Sequence, residues 1–149
     1  MTAERKTSHA PNQGFSLDRQ IGHVLRRAYQ TANAHLLKQL KHYDLMPQQF
    51  ATLVRLRELG ATSQNRLGEA VDMPRANIHT MVERLQRRGL VATVADPSDG
   101  RRRVVNLTEQ GRTLLEELCP IAEESNRIAL TALNSGERAM LFDLLQRLR

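Results

Sequence analysis

The chain has 149 residues and a formal net charge of +6, with 40% hydrophobic residues, 3% aromatic residues and no tryptophan. This length suits one ordinary domain with an aliphatic core, and the basic balance favours a polyanionic partner. The single cysteine excludes an internal disulfide, and no apolar run approaches the ~18 residues that cross a bilayer. We therefore expect a cytoplasmic protein without membrane contact.

The chain begins with a polar segment that lacks the apolar core of a signal peptide. We predict a disordered tail over residues 1–15 and a single domain over residues 16–149. Apolar residues recur at helical spacing from Leu17 to about Lys41, and no glycine or proline follows Gly22 there. This pattern predicts one long helix.

Two shorter helices follow. Met46-Pro47 opens the first, because proline is favoured at the first helical position, and it ends near Gly60. Ser63 is a plausible N-cap for the second, which runs through Ala70. The predicted core face of the first of these helices consists of Phe50, Leu53, Val54 and Leu56.

The next predicted helix starts at Pro74 and is ended by Gly89. One face carries an apolar stripe of Ile78, Met81, Val82 and Leu85. The opposite face carries Ala76, Thr80, Glu83 and Arg87, flanked by Asn77 and Arg84. An amphipathic helix of this kind packs on one side and presents the other to solvent or to a partner.

A hairpin is predicted next, because two β-prone runs, residues 91–94 and 104–107, flank a polar segment. That segment contains three consecutive arginines, which we expect on the turn, pointing away from the body of the protein. Asp99 lies two residues before Arg101 and is expected to pair with it.

The last part of the chain is predicted to be helical again. Thr108 caps a helix from Glu109 to about Leu130, which Pro120 should bend or interrupt, and Ser135 caps a final helix. Its apolar residues are Met140, Leu141, Leu144, Leu145 and Leu148. The terminal helices, about residues 16–42 and 109–149, carry more apolar surface than the lobe at about 47–108 covers. We therefore expect them to pair in a homodimer.

A short helix, a tight turn and a longer helix form a helix-turn-helix, whose second helix lies in the DNA major groove. Its exposed residues suit base edges: arginine bonds guanine, asparagine bonds adenine, and threonine offers a hydroxyl or a methyl group. The arginine hairpin suits phosphates or a narrow minor groove. The alternatives are a solvated helix face and a solvated basic loop. The predicted DNA-binding residues are Ser63, Arg75, Ala76, Asn77, His79, Thr80, Arg84, Asp99, Arg101, Arg102 and Arg103.

The sequence resembles MarR-type transcriptional regulators in three segments, residues 67–91, 96–101 and 107–111. The most specific part is the Asp-x-Arg of Asp99 and Arg101, followed by a Leu-Thr-x-x-Gly motif. The resemblance implies a mainly α fold with a small β-hairpin: a winged helix-turn-helix with N- and C-terminal dimerisation helices. It also implies a homodimer that binds palindromic operator DNA and often represses.

The chain departs from the family pattern at two positions. Gly100 stands where many members carry a basic residue at the wing tip, so Arg102 or Arg103 is expected to share that contact. Asp72 replaces the frequent glycine of the turn, and aspartate tolerates left-handed backbone better than most residues. The fold is therefore not in doubt.

The resemblance further implies an effector pocket between the dimer helices and the DNA lobe. Effectors of the family are commonly aromatic acids, phenolics or their coenzyme A thioesters. The residues expected to line the pocket are His23, Arg26, Tyr29, Asn33, His35 and His42. A basic side chain there would pair with an anionic group, and the tyrosine would stack.

Other chemistry finds little support in the sequence. The five histidines lack the spacing of a metal site, no catalytic constellation is present, and no cofactor is expected. Cys119 is expected to be an inert thiol. An enzyme is therefore not expected. The alternative from another class is a winged-helix module that binds protein without specific DNA binding, which the salt dependence of DNA binding would distinguish.

Overall fold

The computed structural model describes residues 15–148. The tail predicted over residues 1–15 therefore lies, except for Phe15, outside the described residues. Within the described range, no helix is both long and apolar enough to span a membrane.

The order of elements is the predicted one, with a short 3-10 helix added at Leu17–Arg19. Four helices precede the hairpin and two follow it: α1 (Ile21–His42), α2 (Pro47–Leu59), α3 (Gln64–Ala70), α4 (Arg75–Arg87), β1 (Val91–Asp96), β2 (Asp99–Leu107), α5 (Glu109–Ala129) and α6 (Ser135–Gln146). The strands are antiparallel, and the mainly α architecture with a small β-hairpin is confirmed.

The prediction of one helix starting at Leu17 is wrong in its first turn. Gln20 is extended, with φ −84° and ψ 117°, and it separates the 3-10 helix from α1. The apolar spacing from Leu17 to Ile21 fits one continuous helix as well as two separate helices. Hydrophobic periodicity does not depend on the backbone conformation of a single polar residue such as Gln20.

The core lies where α2, α3, α4, the hairpin and the first half of α5 meet, closed by the end of α1. Its fully buried side chains include Leu40, Leu53, Leu56, Leu67, Ile78, Val82, Leu85, Val91, Val105, Leu115 and Leu118. The predicted stripe on α4 is buried in full. On α2, the predicted core residue Val54 is only half-buried, whereas Thr52 is fully buried. The Thr52 hydroxyl donates to the Gln48 carbonyl at 2.7 Å, so its polar group is satisfied within the core.

The arginines occupy a different place in the hairpin from the predicted one. Strand pairing is regular to Ala95 opposite Arg103 and, after a break in register, ends at Asp96 opposite Asp99. The three arginines at 101–103 therefore lie on β2, and the turn is formed by Pro97 and Ser98. The prediction of arginines on the turn was wrong, because long charged side chains are compatible with an exposed strand whose partner is only one other strand.

The C-terminal helices decide two further details. Helix α5 continues through Pro120, so the proline does not interrupt the helix, and the alternative of a bend stays a prediction. The N-cap of α6 is Asn134, one residue before the predicted Ser135. Asn134 accepts from the Glu137 backbone N–H at 3.0 Å while Glu137 accepts from the Asn134 N–H at 2.8 Å, and this reciprocal capping box satisfies donors at the helix start.

Candidate nucleic-acid interface

The turn between α3 and α4 brings these two helices into close contact at Gly68. Ser63 caps α3 by accepting from the Arg66 backbone N–H at 3.3 Å, and Asp72 adopts φ +52°, as expected for a residue that tolerates left-handed backbone. Gly68 lies at the crossing, where an added Cβ would be 3.0 Å from the Met73 carbonyl oxygen and 3.1 Å from Ile78 Cγ2. A larger residue there would push α4 away from α3.

Helix α4 presents the face opposite its buried stripe. Ala76, Asn77, Thr80 and Arg84 are all exposed, as a helix entering the major groove requires. The Thr80 hydroxyl donates to the Ala76 carbonyl of its own helix at 3.4 Å.

Surface pockets on both sides of α4 are lined by most of the predicted DNA-binding residues. One, of about 320 Å³, is lined by Ser63, Gln64, Asn65, Arg75, His79, Thr93 and Arg103. Another, of about 360 Å³, is lined by residues 71–74 and by Gln48, Ala51, Asn77, Thr80, Met81 and Arg84. Four further lining residues were not predicted from the sequence: Gln64, Asn65 and Thr93 on the first side and Gln48 on the second. The polar pair directly after the Ser63 cap could have indicated the first two.

His79 is engaged on both sides of its ring. Its Nδ1 lies 3.2 Å from Gln64 Oε1 on α3, and its Nε2 lies 3.3 Å from Glu83 Oε1 one turn along α4. These contacts orient the imidazole across the helix-turn-helix. They also hold a carboxylate on the face of α4 that would meet the bases.

The tip of the hairpin is ordered by its two aspartates. Ser98 donates to Asp96 Oδ1 from its hydroxyl at 2.7 Å and from its backbone N–H at 2.9 Å, and these hydrogen bonds lower the pKa of the Asp96 carboxyl. Asp99 Oδ1 accepts from the Arg101 backbone N–H at 3.1 Å, while its Oδ2 lies 3.3 Å from Arg102 Nε. The predicted Asp99–Arg101 ion pair is therefore wrong: the carboxylate that binds the Arg101 backbone faces the Arg102 guanidinium.

The three arginines have different surroundings. Arg103 Nη2 donates to the Thr93 carbonyl at 3.0 Å, so its guanidinium crosses back over β1 toward the α3 side of α4. Arg102 leans toward Asp99, and Arg101 is exposed next to the tip. The hairpin thus presents one cationic group beside α4, that of Arg103, and two nearer its tip, those of Arg101 and Arg102.

The six residues predicted to line an effector pocket all lie on α1 but do not share one face. Successive helical residues are separated by about 100°, so Arg26, Tyr29 and Asn33 fall on one side and His35 and His42 on another. His23 Nδ1 lies 3.3 Å from Arg26 Nη2, and Asn33 Nδ2 donates to the Tyr29 carbonyl at 2.9 Å.

His35 points toward α5. Its Nδ1 lies 2.8 Å from Ser125 Oγ, and that hydroxyl donates its own hydrogen to the Ile121 carbonyl at 2.7 Å. The serine hydroxyl hydrogen is thus used by the Ile121 carbonyl, and the serine oxygen is placed to accept from the His35 ring. Among residues 15–148, no group of three or more His, Cys, Asp or Glu side chains is placed to hold a metal ion.

Comparison with known proteins places the chain among DNA-binding regulators. A profile of the MarR family matches residues 43–102. The transcriptional repressor NicR of Pseudomonas putida is 37% identical over 99% of this chain and 95% of its own length. A structure described as that of a probable transcriptional regulator from Pseudomonas aeruginosa is 44% identical, with a TM-score of 0.80 over 90% of this chain and 100% of the other.

A third relative is BpsR of Bordetella bronchiseptica, whose DNA binding is regulated by 6-hydroxynicotinic acid. Its structure is 35% identical to this chain, with a TM-score of 0.82 over 93% of this chain and 97% of the other.

Proposed function

The chain belongs to the MarR family of transcriptional regulators, and on this premise we propose that it is a repressor released from palindromic operator DNA by a small aromatic acid. The relatives are transcriptional regulators, which supports neither an enzyme nor the alternative of a protein-binding module without specific DNA binding. We place the protein in the cytoplasm, where operator DNA is accessible to it.

The observation that carries the DNA-binding proposal is the arrangement of polar and cationic residues around α4. The pocket on one side joins Arg75 and His79 to Arg103 of the hairpin, and the pocket on the other joins Asn77, Thr80 and Arg84. We assign base contacts to Arg75, Ala76, Asn77 and Thr80. Phosphate contacts are assigned to the remaining cationic and capping residues, Ser63, His79, Arg84, Arg101, Arg102 and Arg103, with Asp99 orienting the hairpin.

The ends of the chain support a homodimer. Helix α6 has no buried residue, and its Met140 and Phe142 are 64% and 53% exposed. Leu148, just after the helix, is 64% exposed. At the other end, Leu17 and Ile21 are 55% and 64% exposed. Each such side chain gains about 1.5–3 kcal/mol when it is fully buried, so a second copy covering both ends would be strongly stabilised. The resulting two-fold symmetry would place two recognition helices about 34 Å apart, one turn of DNA.

The effector is proposed to be a heteroaromatic acid of the 6-hydroxynicotinate type, because that compound regulates the relative BpsR. Such an acid combines a flat ring with a carboxylate. Arg26 and Tyr29 share a face of α1 that offers a cation and a ring, with Asn33 one turn farther along. We therefore assign the acid to this face of α1. His35 faces α5 on another side of the helix, and His23 and His42 lie near its two ends.

The experiment that tests this function is selection of duplexes from a random DNA library by the full chain. A palindromic consensus with two half-sites one helical turn apart is the expected result. Adding 6-hydroxynicotinic acid should release the selected duplex, whereas benzoic acid, which lacks the ring nitrogen and hydroxyl, is the matched control. Recovery of no consensus would contradict the operator, and equal release by both acids would contradict the effector class.

A further inference from the structure

One side chain ties the end of the recognition helix to the end of α1. Arg88 is the C-cap residue of α4, and its guanidinium donates to two carbonyls. Nη2 donates to the Tyr43 carbonyl at 2.8 Å, and Nη1 donates to the Asp44 carbonyl. The partners lie 45 and 44 residues earlier in the sequence, so this contact is tertiary rather than local.

These carbonyls need a donor from outside their own helix. Helix α1 ends at His42, after which the Tyr43 and Leu45 N–H groups both bond to the Leu40 carbonyl. Asp44 then turns the chain with φ +48°. The final carbonyls of a helix lack intrahelical partners and lie at the negative end of its dipole, where a cation is favoured. A planar guanidinium with parallel N–H groups can bond both carbonyls at once, which a single ammonium does less well.

The position of Arg88 makes this contact relevant to DNA binding. Gly89 follows it with φ +69° and directs the chain into β1, so Arg88 lies where the recognition helix ends and the wing begins. Helix α1 packs mainly against α5 rather than against α4. The Arg88 hydrogen bonds therefore provide a direct connection from the proposed effector helix to the DNA-contacting elements.

We propose that Arg88 is a positioning residue for operator binding: it holds α4 and the root of the wing against the end of α1, and it transmits movement of α1 to them. Its cationic group acts on carbonyls of the protein and not on phosphates. The inference rests on the proposed function, since it assumes that operator DNA is bound through α4 and the hairpin.

The test compares Arg88→Met with Arg84→Met on the duplex selected by the wild-type chain. Without the two hydrogen bonds a smaller share of the chains should hold α4 and the wing in the position that binds DNA. Because apparent affinity falls with that share, we expect operator affinity about tenfold to thirtyfold weaker for Arg88→Met. The slope of log K against log salt should stay at the wild-type value, because no phosphate contact is lost. Arg84→Met should also weaken binding, but its slope should fall by about 1.8, because each of the two subunits loses one phosphate contact worth about 0.9.

Two further results test the proposal. Arg88→Lys should recover part of the lost affinity, and the ratio of operator Kd values with and without 6-hydroxynicotinic acid should move toward unity in Arg88→Met. Unchanged affinity in folded Arg88→Met, or a slope reduced as in Arg84→Met, would overturn it. If circular dichroism shows that Arg88→Met is unfolded, Arg88→Gln and Arg88→Lys provide the same comparison. If 6-hydroxynicotinic acid does not change the operator affinity of the wild type, the proposed effector is wrong. The operator affinity and the salt slope of the Arg88 variants still test the positioning role.

Discussion

The lobe formed by α2, α3, α4 and the hairpin buries a core together with the first half of α5, whereas α6 has no buried residue and α1 buries only Leu40, near its end. The two regions have similarly apolar sequences, so composition does not explain the difference. The lobe's apolar side chains pack within a single chain, and many of those on α1 and α6 are exposed. On the proposed function, the surfaces assigned to DNA are fixed by the chain itself, while their spacing would depend on a second copy.

The sharpest way to break this contrast is a pair of leucine truncations. Leu85 of α4 is fully buried, so Leu85→Ala should lower the free energy of unfolding by about 2–5 kcal/mol at any protein concentration. Leu144 is 45% exposed in the single chain, so the effect of Leu144→Ala should appear as a changed dependence on protein concentration. Urea unfolding at two concentrations separates them. A concentration-independent loss of similar size in both variants would contradict the contrast.

A charge on α6 should separate the subunits without unfolding the lobe. Leu145→Asp places a carboxylate on the apolar face of α6, so we expect a monomer whose operator affinity falls by about a hundredfold or more. Gln146→Asp introduces the same charge one residue away and serves as the matched control. Sedimentation velocity gives the mass, and DNA titration gives the affinity. Dimeric Leu145→Asp with wild-type affinity would show that α6 does not form the interface.

Glycines give a smaller and more local comparison. A Cβ on Gly111, near the start of α5, would lie 2.1 Å from the Leu90 carbonyl oxygen, so Gly111→Ala should lower the free energy of unfolding by about 1–3 kcal/mol. Gly22 in α1 has no heavy atom within 4 Å of its added Cβ, so Gly22→Ala should be neutral or stabilising by up to about 1 kcal/mol. Thermal unfolding measures both changes. Equal losses would mean that α5 does not pack against the hairpin as described.

Within the lobe, substitutions on helix α4 and on the wing should change DNA binding in different ways. Arg101→Ala should weaken binding to all duplexes alike and reduce the salt slope by about 1.8, because each of the two subunits loses the phosphate contact assigned to Arg101. Asn77→Ala should instead cost about 1–3 kcal/mol at each half-site of the selected duplex and relax the preference at one base pair there. Binding to a panel of single-base operator variants distinguishes the two. The assignment fails if Arg101→Ala changes base preference while Asn77→Ala does not.

Much of the fold could be predicted from the sequence because its signals are local. The stripe of Ile78, Met81, Val82 and Leu85 predicted the buried face of α4, and the Ser63 and Thr108 caps predicted helix starts that the structure confirms. The missed features depend on single backbone conformations or on tertiary contacts. The extended Gln20 and the Asn134 cap are choices between neighbouring residues that periodicity does not distinguish.

The candidate site shows the same division. The exposed residues of α4 followed from helical geometry, but the Asp99–Arg102 pair and the Arg103 contact with Thr93 depend on how far the strands pair. Arg88 would be counted from the sequence as one more basic residue near DNA. Its role at the Tyr43 and Asp44 carbonyls becomes visible only when α1 and α4 are brought together.

On the proposed function, two copies of the chain present two recognition helices to one palindromic duplex. Sedimentation equilibrium of the full chain, alone and with the selected duplex over a range of salt concentrations, tests this arrangement. We expect a dimer in free solution, two chains per duplex, and an affinity that falls steeply as the salt concentration rises. A monomer that binds the duplex tightly as a single chain, or an affinity that does not change with salt, would contradict it.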